Sequence, residues 1–340
     1  MKKRLAKLRD RWDGEILRMI GETVHSVPSD GTSLGEMCDY HMRTGGKRLR
    51  AIVPLAIAET LGTDPQKVLP FAAACELLHN ATLVHDDLQD GDETRRGEPT
   101  IWKKYSAERA INLGDAMLHW PIVLLDRLDC SDELYRRLSQ RLSRETLRVI
   151  DGQDREFLLS NQNESTWDSY FRMVEGKTGG LFVLPTVGGA ELAGASAELV
   201  EAAEQAAGEL GVLFQIQDDV LDLYGDKGRD HRGMDICEGK ISALAVHYLS
   251  NASPDKADWL RDLLDAPRDE VSIEDIDRVA EEFRAEGSLD AALEEIEKRR
   301  RRALAHPAFE ESPELKNLMG GIANLFLEPI DHVIHARSAS

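Results

Sequence analysis

The sequence predicts an all-α protein built as a single large domain. Apolar residues recur at helical period along nearly the whole chain, alternating strand-like runs are scarce, and turn residues divide the chain into segments of ordinary helix length. The opening lysines give way to charged and apolar residues alternating through Leu5, Leu8, Ile16 and Leu17. Breaks follow at Ser29 to Gly31 and at Gly62 to Pro65. Leu69, Ala72, Ala73, Leu77, Asn80 and Val84 then form one helical face, which ends at the breaks from Gly91 to Pro99. After a further break at Asn161 to Ser165, Leu199, Ala202, Ala206, Leu210, Leu213 and Ile216 form a second such face. Breaks at Gly225 to Gly233, Ser253 to Pro254 and His306 to Pro307 complete the division. Roughly ten to fourteen helices result. No Gly, Ser or Pro run is long enough to be a linker, and no solenoid-like repeat is present. From Pro254 to Arg302 the chain is rich in Asp, Glu and Arg with fewer apolar residues, which predicts peripheral helices with solvated faces and no chemistry.

With 62 acidic and 42 basic residues among 340, the formal charge is −20, a field that disfavours nucleic-acid phosphates and anionic membranes as partners. A hydrophobic share of 42% supports a large core and argues against disorder. Uncharged apolar runs such as Ala51 to Ala58 are far short of the roughly 18 residues that a membrane span needs. The N-terminal pattern lacks the apolar core of a secretion signal, so the sequence reads as cytoplasmic. Cys38, Cys75, Cys130 and Cys237 stand too far apart for a zinc motif or a disulfide framework.

Two acidic clusters carry the chemistry. In Leu83-Val84-His85-Asp86-Asp87-Leu88-Gln89-Asp90, Asp86 and Asp90 share a helical face, with Asp87 rotated by about 100°. Neighbouring carboxylates repel, so the cluster makes sense where divalent cations neutralise it, and hard oxygen ligands suit Mg²⁺ bridging to substrate phosphates. A solvated acidic helix end is the plainer alternative for this segment alone. The same spacing recurs in Phe214-Gln215-Ile216-Gln217-Asp218-Asp219-Val220-Leu221-Asp222. Two copies of one unfavourable pattern, each ending an apolar helix, favour two carboxylate banks around a diphosphate.

Such a site needs cations for the phosphate oxygens, and several glycine-marked groups supply them. Gly45-Gly46-Lys47-Arg48-Leu49-Arg50 opens a helix, where backbone N–H groups, Lys47 and Arg50 can address an anion, although a basic surface patch would look the same. Thr94-Arg95-Arg96-Gly97-Glu98-Pro99-Thr100 puts two arginines directly after the first bank, where they can also simply neutralise Asp92 and Glu93. Lys177-Thr178-Gly179-Gly180 lies in an apolar stretch, where an unpaired lysine is costly and an anion is expected. Gly239-Lys240 precedes another apolar helix.

Together these residues resemble the trans-isoprenyl diphosphate synthases, the polyprenyl synthetase family. The likeness rests on Gly-Gly-Lys-Arg-x-Arg, both Asp-Asp-x-x-Asp banks, Arg-Arg-Gly-x-Pro-Thr, Lys-Thr-Gly, and Gly-x-Asp-Ile-x-x-Gly-Lys, in family order from Gly45 to Lys240. It implies one isoprenoid-synthase domain over residues 1–340, a barrel of helices around a deep central cavity, usually homodimeric. It makes Asp86, Asp90 and Asp218 the Mg²⁺ ligands, supported by Asp87, Asp219 and Asp222, with three ions once the allylic diphosphate is bound. Lys47, Arg50, His79 and Arg96 become the isopentenyl diphosphate site. Arg95, Lys177, Thr178, Gln215 and Lys240 become the allylic site, which takes dimethylallyl, geranyl or farnesyl diphosphate. One departure stands out: Asp230 and His231 replace a lysine common in the family, and Lys227, Arg229 and Arg232 are the candidates to substitute for it.

The implied reaction needs no protein nucleophile. Departing diphosphate gathers negative charge as the allylic carbon becomes cationic, and fixed cations stabilise that charge more than the ground state. The alkene of isopentenyl diphosphate attacks, and proton loss restores a double bond, the resemblance implying the diphosphate held near Lys177 and Gln215 as the acceptor. A terpene cyclase would leave Lys47, Arg50 and Arg96 without purpose, and a non-catalytic partner subunit would be expected to have lost carboxylates. Four and five positions before Asp86, short-chain members carry a bulky aromatic, where this chain has Thr82 and Ala81. The next floor for a growing chain lies one turn, about 5.4 Å, deeper at Leu77 and Leu78, with Trp120 as a further candidate. Trp120 has an alternative as ordinary core or a dimer contact. The expected product is C20, geranylgeranyl diphosphate, ahead of C25 to C35 chains.

Overall fold

A computed structural model describes residues 1–26, 33–161, 165–225 and 232–338. Lys227, Arg229, Asp230 and His231 lie outside the described residues. The fold is all-α, and the one described strand pair is a two-residue hairpin. Internal contacts divide the chain into two compact units. The first comprises Met1–Thr146, Leu181–Glu204 and Ala308–Leu318, and the second Leu147–Gly180, Gln205–Pro307 and Met319–Ser340.

The first unit opens with α1 (Lys2–Val24), whose Leu5, Leu8, Trp12, Ile16 and Ile20 recur at three- and four-residue spacing and are buried. Helices α2 (Ser33–Arg43) and α3 (Leu49–Thr60) follow. Every residue from Ala51 to Ala58 is buried, so α3 is a core helix, not an amphipathic one. A 3₁₀ turn at Pro65–Val68, capped by the Asp64 carboxylate, leads into α4 (Leu69–Gln89). Thr94–Arg95 (β1) and Glu98–Pro99 (β2) pair antiparallel around a turn in which Arg96 (φ 55°) and Gly97 (φ 82°) are left-handed, as a tight hairpin requires. A short α5 (Ile101–Lys104) precedes α6 (Ala107–Leu125), which Ser106 caps, and then α7 (Asp132–Asn161). Helix α9 (Gly180–Leu192) packs by bare backbone: a Cβ on Gly188 would collide with the Phe71 ring, and one on Gly189 would lie 2.8 Å from Pro54 Cα. Fully buried side chains such as Phe71, Leu55 and Leu77 contribute about 1.5–3 kcal/mol each.

In the second unit α8 (Trp167–Val174) starts with a Thr166/Ser169 capping box and runs into a π turn at Glu175–Gly179. That turn crosses α7 backbone to backbone, since a Cβ on Gly152 would collide with the Lys177 amide and one on Gly176 would lie 2.8 Å from Arg148 O. The later turns of α10 (Ala197–Tyr224) are followed by α11 (Met234–Cys237) and by α12 (Ala243–Asn251), which Ser242 caps. Helices α13 (Pro254–Leu264), α14 (Ile273–Ala285) and α15 (Ser288–Ala303) bury one stripe each, including Leu260, Ile276, Phe283, Leu293 and Ile296. Lys256 bridges Glu282 and Glu286, both at 2.7 Å. The chain closes with α16 (Pro313–Leu327) and α17 (Asp331–Ser338). Among the described residues no helix is long and apolar enough to cross a membrane.

Candidate active site

The first bank occupies the end of α4. Asp86 and Asp90 stand one turn apart and half-exposed, with the Asp90 amide closing the last turn onto Asp86 O at 2.8 Å. Asp87 turns inward, buried, and receives Arg95 Nε at 2.6 Å and Nη2 at 2.5 Å. Burial raises the Asp87 carboxyl against the pull of Arg95, and its Oδ2 has no hydrogen-bond partner among the described residues. The hairpin does not neutralise Glu93 with an arginine, because Lys103 does so at 2.6 Å. Asp92 contributes its carbonyl, which accepts from Thr100 Oγ1 and Trp102 Nε1, both at 2.8 Å.

Facing Arg96 is the glycine loop. Gly45 (φ 91°) and Gly46 (φ 137°) bring its backbone under the Arg96 guanidinium, which donates to Gly45 O. A Cβ on Gly46 would lie 3.0 Å from both Arg96 Nη atoms, so this loop needs glycine for conformation and for space. Lys47 is exposed on the loop, and Arg50 lies in the first turn of α3 with its guanidinium 4.5 Å from the Phe182 ring centroid. Burial lowers Arg50 to about 10, still charged at neutral pH. Burial, then the charges of Arg50, Arg95 and Arg96, holds His79 well below the usual histidine range. Burial and these charges favour the neutral His79 ring, whose Nδ1 has no hydrogen-bond partner among the described residues. Arg96 is itself lowered, first by burial and then by Arg95 and Arg48. Like charges concentrated in this way call for an anion.

Behind this spot runs a buried polar network that the sequence reading did not assign. Arg48, in the left-handed conformation (φ 52°), pairs with Asp13 at 3.0 Å, lies 3.6 Å from Glu76, and donates to Met42 O at 2.7 Å. Glu76 accepts from Ala51 N at 3.3 Å and from Asn80 Nδ2 at 3.2 Å. The Asn80 amide is thereby oriented to accept from His41 Nε2 at 3.1 Å. His41 is kept neutral, its pKa lowered to about 3 by burial and the nearby arginines. The signal was legible: Glu76 is the lone acid in the run from Leu69 to Val84.

In the second unit the carboxylates of the second bank also divide. Asp218 is half-exposed, whereas Asp219 and Asp222 are buried. Asp219 accepts from Tyr170 Oη at 2.7 Å, Ala243 N at 2.8 Å and Gln215 Nε2 at 3.0 Å. Asp222 accepts from Asp235 N at 3.1 Å and so fixes the start of α11. Thr178 Oγ1 donates to Gln215 Oε1 at 2.9 Å. The anion that Lys177 meets here is Glu156, at 2.5 Å, and Lys240 meets Glu238 at 2.9 Å. No pattern in the sequence marks Glu156 as the partner of Lys177. Arg232, one candidate for the missing family lysine, is taken by Asp277.

Among the described residues no three His, Cys, Asp or Glu side chains converge to hold a metal by themselves. Taken separately, the half-exposed Asp86 and Asp90 of α4 and the half-exposed Asp218 of α10 are the kind of carboxylate that suits Mg²⁺, which binds through one or two carboxylates with water and substrate phosphates completing the shell. Of the proposed length-setting residues, Leu77, Leu78, Ala81 and Trp120 are buried, and Thr82 is half-buried with its hydroxyl on His79 O at 2.8 Å.

Comparison with known proteins matches residues 32–283 to the polyprenyl synthetase family. A geranylgeranyl diphosphate synthase of Mycobacterium tuberculosis is 33% identical over 311 residues, covering 87% of this chain and 88% of that protein. A short chain isoprenyl diphosphate synthase of Methanocaldococcus jannaschii is 34% identical over 255 residues, 74% of this chain and 77% of that protein. A crystal structure of a geranylgeranyl pyrophosphate synthase superposes with a TM-score of 0.84 at 29% identity, covering 95% of this chain and 98% of the other.

Proposed function

Because the chain belongs to the polyprenyl synthetase family, we propose that it is a trans-prenyltransferase that condenses isopentenyl diphosphate head-to-tail with an allylic diphosphate, giving the C20 product geranylgeranyl diphosphate. The observation that carries this reading is the basic site beside the first bank: Arg96, on the hairpin directly after Asp86 and Asp90, donates to Gly45 O in the glycine loop that carries Lys47 and leads into Arg50. A cyclase has no use for that second anion site, and a retired subunit has no use for two intact carboxylate banks. We read both compact units as one catalytic domain, since the family match runs through both.

Arg50 and Arg96, with Lys47 from the glycine loop, hold isopentenyl diphosphate beside His79. Asp86, Asp90 and Asp218 would hold Mg²⁺, three ions with the allylic diphosphate bound, and the metal would supply positive charge for the departing diphosphate. Lys177, Thr178, Gln215 and Lys240 grip the allylic diphosphate. Lys177 exchanges Glu156 for that anion, and Arg95, which pairs with Asp87, completes the allylic site. We assign a cytoplasmic location and a homodimer, with a second copy covering the exposed Ile111 and Ile122 of α6.

Arg96→Ala should raise the requirement for isopentenyl diphosphate, and Lys177→Ala that for the allylic substrate, each by about 10- to 100-fold, read as separate KM values. Reversed effects would exchange the two sites. Product length follows from Ala81, a small side chain where a bulky one would stop the chain early. With Mg²⁺, isopentenyl diphosphate and each of dimethylallyl, geranyl and farnesyl diphosphate, chromatography of the products should show C20. Ala81→Phe should shorten the product, whereas Leu78→Ala or Trp120→Ala should lengthen it where that residue forms the floor. A cyclic hydrocarbon, or an Ala81→Phe variant with unchanged product, would contradict this.

A further inference from the structure

The second bank contains a hydrogen-bond chain whose direction is fixed at every link. A carboxylate can only accept, so Gln215 must turn its amide nitrogen toward Asp219 Oδ1, at 3.0 Å. Its carbonyl oxygen therefore faces Thr178, whose hydroxyl donates to it at 2.9 Å. Asp219 is itself pinned through Oδ2, which receives the Tyr170 hydroxyl at 2.7 Å and the Ala243 amide at 2.8 Å. Ala243 opens α12, three residues after Lys240. Tyr170 is fully buried, its ring edge-on to Trp167 at 5.9 Å and to Phe171 at 5.8 Å. Those contacts hold the ring, and only the hydroxyl reaches Asp219.

We propose that Tyr170 is a positioning residue for the allylic diphosphate, acting through Asp219 on Gln215 and Thr178. Its hydroxyl stops the Asp219 carboxylate from rotating about the Ala243 amide. The Gln215 amide then keeps a single orientation, with its second N–H available as a donor to an acceptor-only ligand such as a diphosphate. Without the hydroxyl, Asp219 and Gln215 sample other orientations, and the ligand must select the competent one. This rests on the assignment of Thr178 and Gln215 to the allylic site.

Steady-state kinetics of the full-length protein test it, with each substrate varied at saturation of the other. Tyr170→Phe should raise the allylic KM about tenfold and leave the isopentenyl KM within twofold, while the thermal midpoint reports packing separately. On a Gln215→Ala background the same substitution should change the allylic KM less than twofold, since the chain is already cut. Equal changes in both KM values, no change in either, or full additivity with Gln215→Ala would overturn the proposal. Should Tyr170→Phe fail to fold, Asp219→Asn reads the same link: an amide facing Gln215 forces that side chain to flip, and an unchanged allylic KM would overturn the proposal equally. A wild-type protein that elongates no primer would remove the allylic reading itself, an outcome distinct from elongation that is indifferent to Tyr170.

Discussion

Asp86→Ala and Asp218→Ala should each reduce turnover by roughly 10³-fold, the scale on which removal of a group that stabilises transition-state charge acts. Both residues are half-exposed, so their loss removes repulsion from a carboxylate bank and leaves the fold intact. Unfolding curves should therefore overlay those of the wild type, and EDTA should abolish wild-type activity just as completely. Asp219→Ala provides the contrast. It strips a buried acceptor from the Tyr170 hydroxyl, the Ala243 amide and the Gln215 amide, and should cost stability as well as activity. Initial rates and urea midpoints on the same preparations separate the two classes. Full activity in either single variant at Asp86 or Asp218 would remove the two-bank site.

Glu76→Ala should destabilise the fold by about 3–5 kcal/mol without touching any group assigned to a substrate. It leaves Arg48, whose side chain is 3% exposed, with Asp13 as its remaining acid and the Ala51 amide without its acceptor. The Asn80 amide loses a partner as well, which loosens His41 behind the arginine cluster. The double variant Arg48→Met, Glu76→Leu should recover much of the loss, since replacing a buried pair costs less than breaking it. Equilibrium urea unfolding reads both. A loss below about 1 kcal/mol in Glu76→Ala would show that the network does not hold α3 and α4 together.

The all-α class was legible because amphipathic period and breaker residues act locally, as the face from Leu69 to Val84 and the break at Gly62 to Pro65 illustrate. The candidate site residues stand out in the sequence because unfavourable groupings need a reason: Asp86 beside Asp87, Asp218 beside Asp219, and Lys177 among apolar neighbours. Helical spacing turns Asp87 away from Asp86 and Asp90, but it does not show which partners the inward carboxylates meet. That Asp87 meets Arg95 is decided by packing. The pairing of Lys177 with Glu156, of Arg232 with Asp277, and of Tyr170 with Asp219 joins positions 21 to 49 residues apart. Such contacts depend on how helices cross, as where bare backbone at Gly152 and Gly176 lets α7 meet the π turn, and one-dimensional periodicity holds no record of that.

Binding of inorganic diphosphate with and without Mg²⁺ tests the central claim most directly, because it reads both carboxylate banks without requiring turnover. Isothermal titration should show affinity that rises at least tenfold with Mg²⁺ in the wild type, and a Mg²⁺ effect that is lost in Asp86→Ala and in Asp218→Ala alike. Diphosphate binding that is indifferent to Mg²⁺, or a Mg²⁺ effect that survives in either variant, would contradict it.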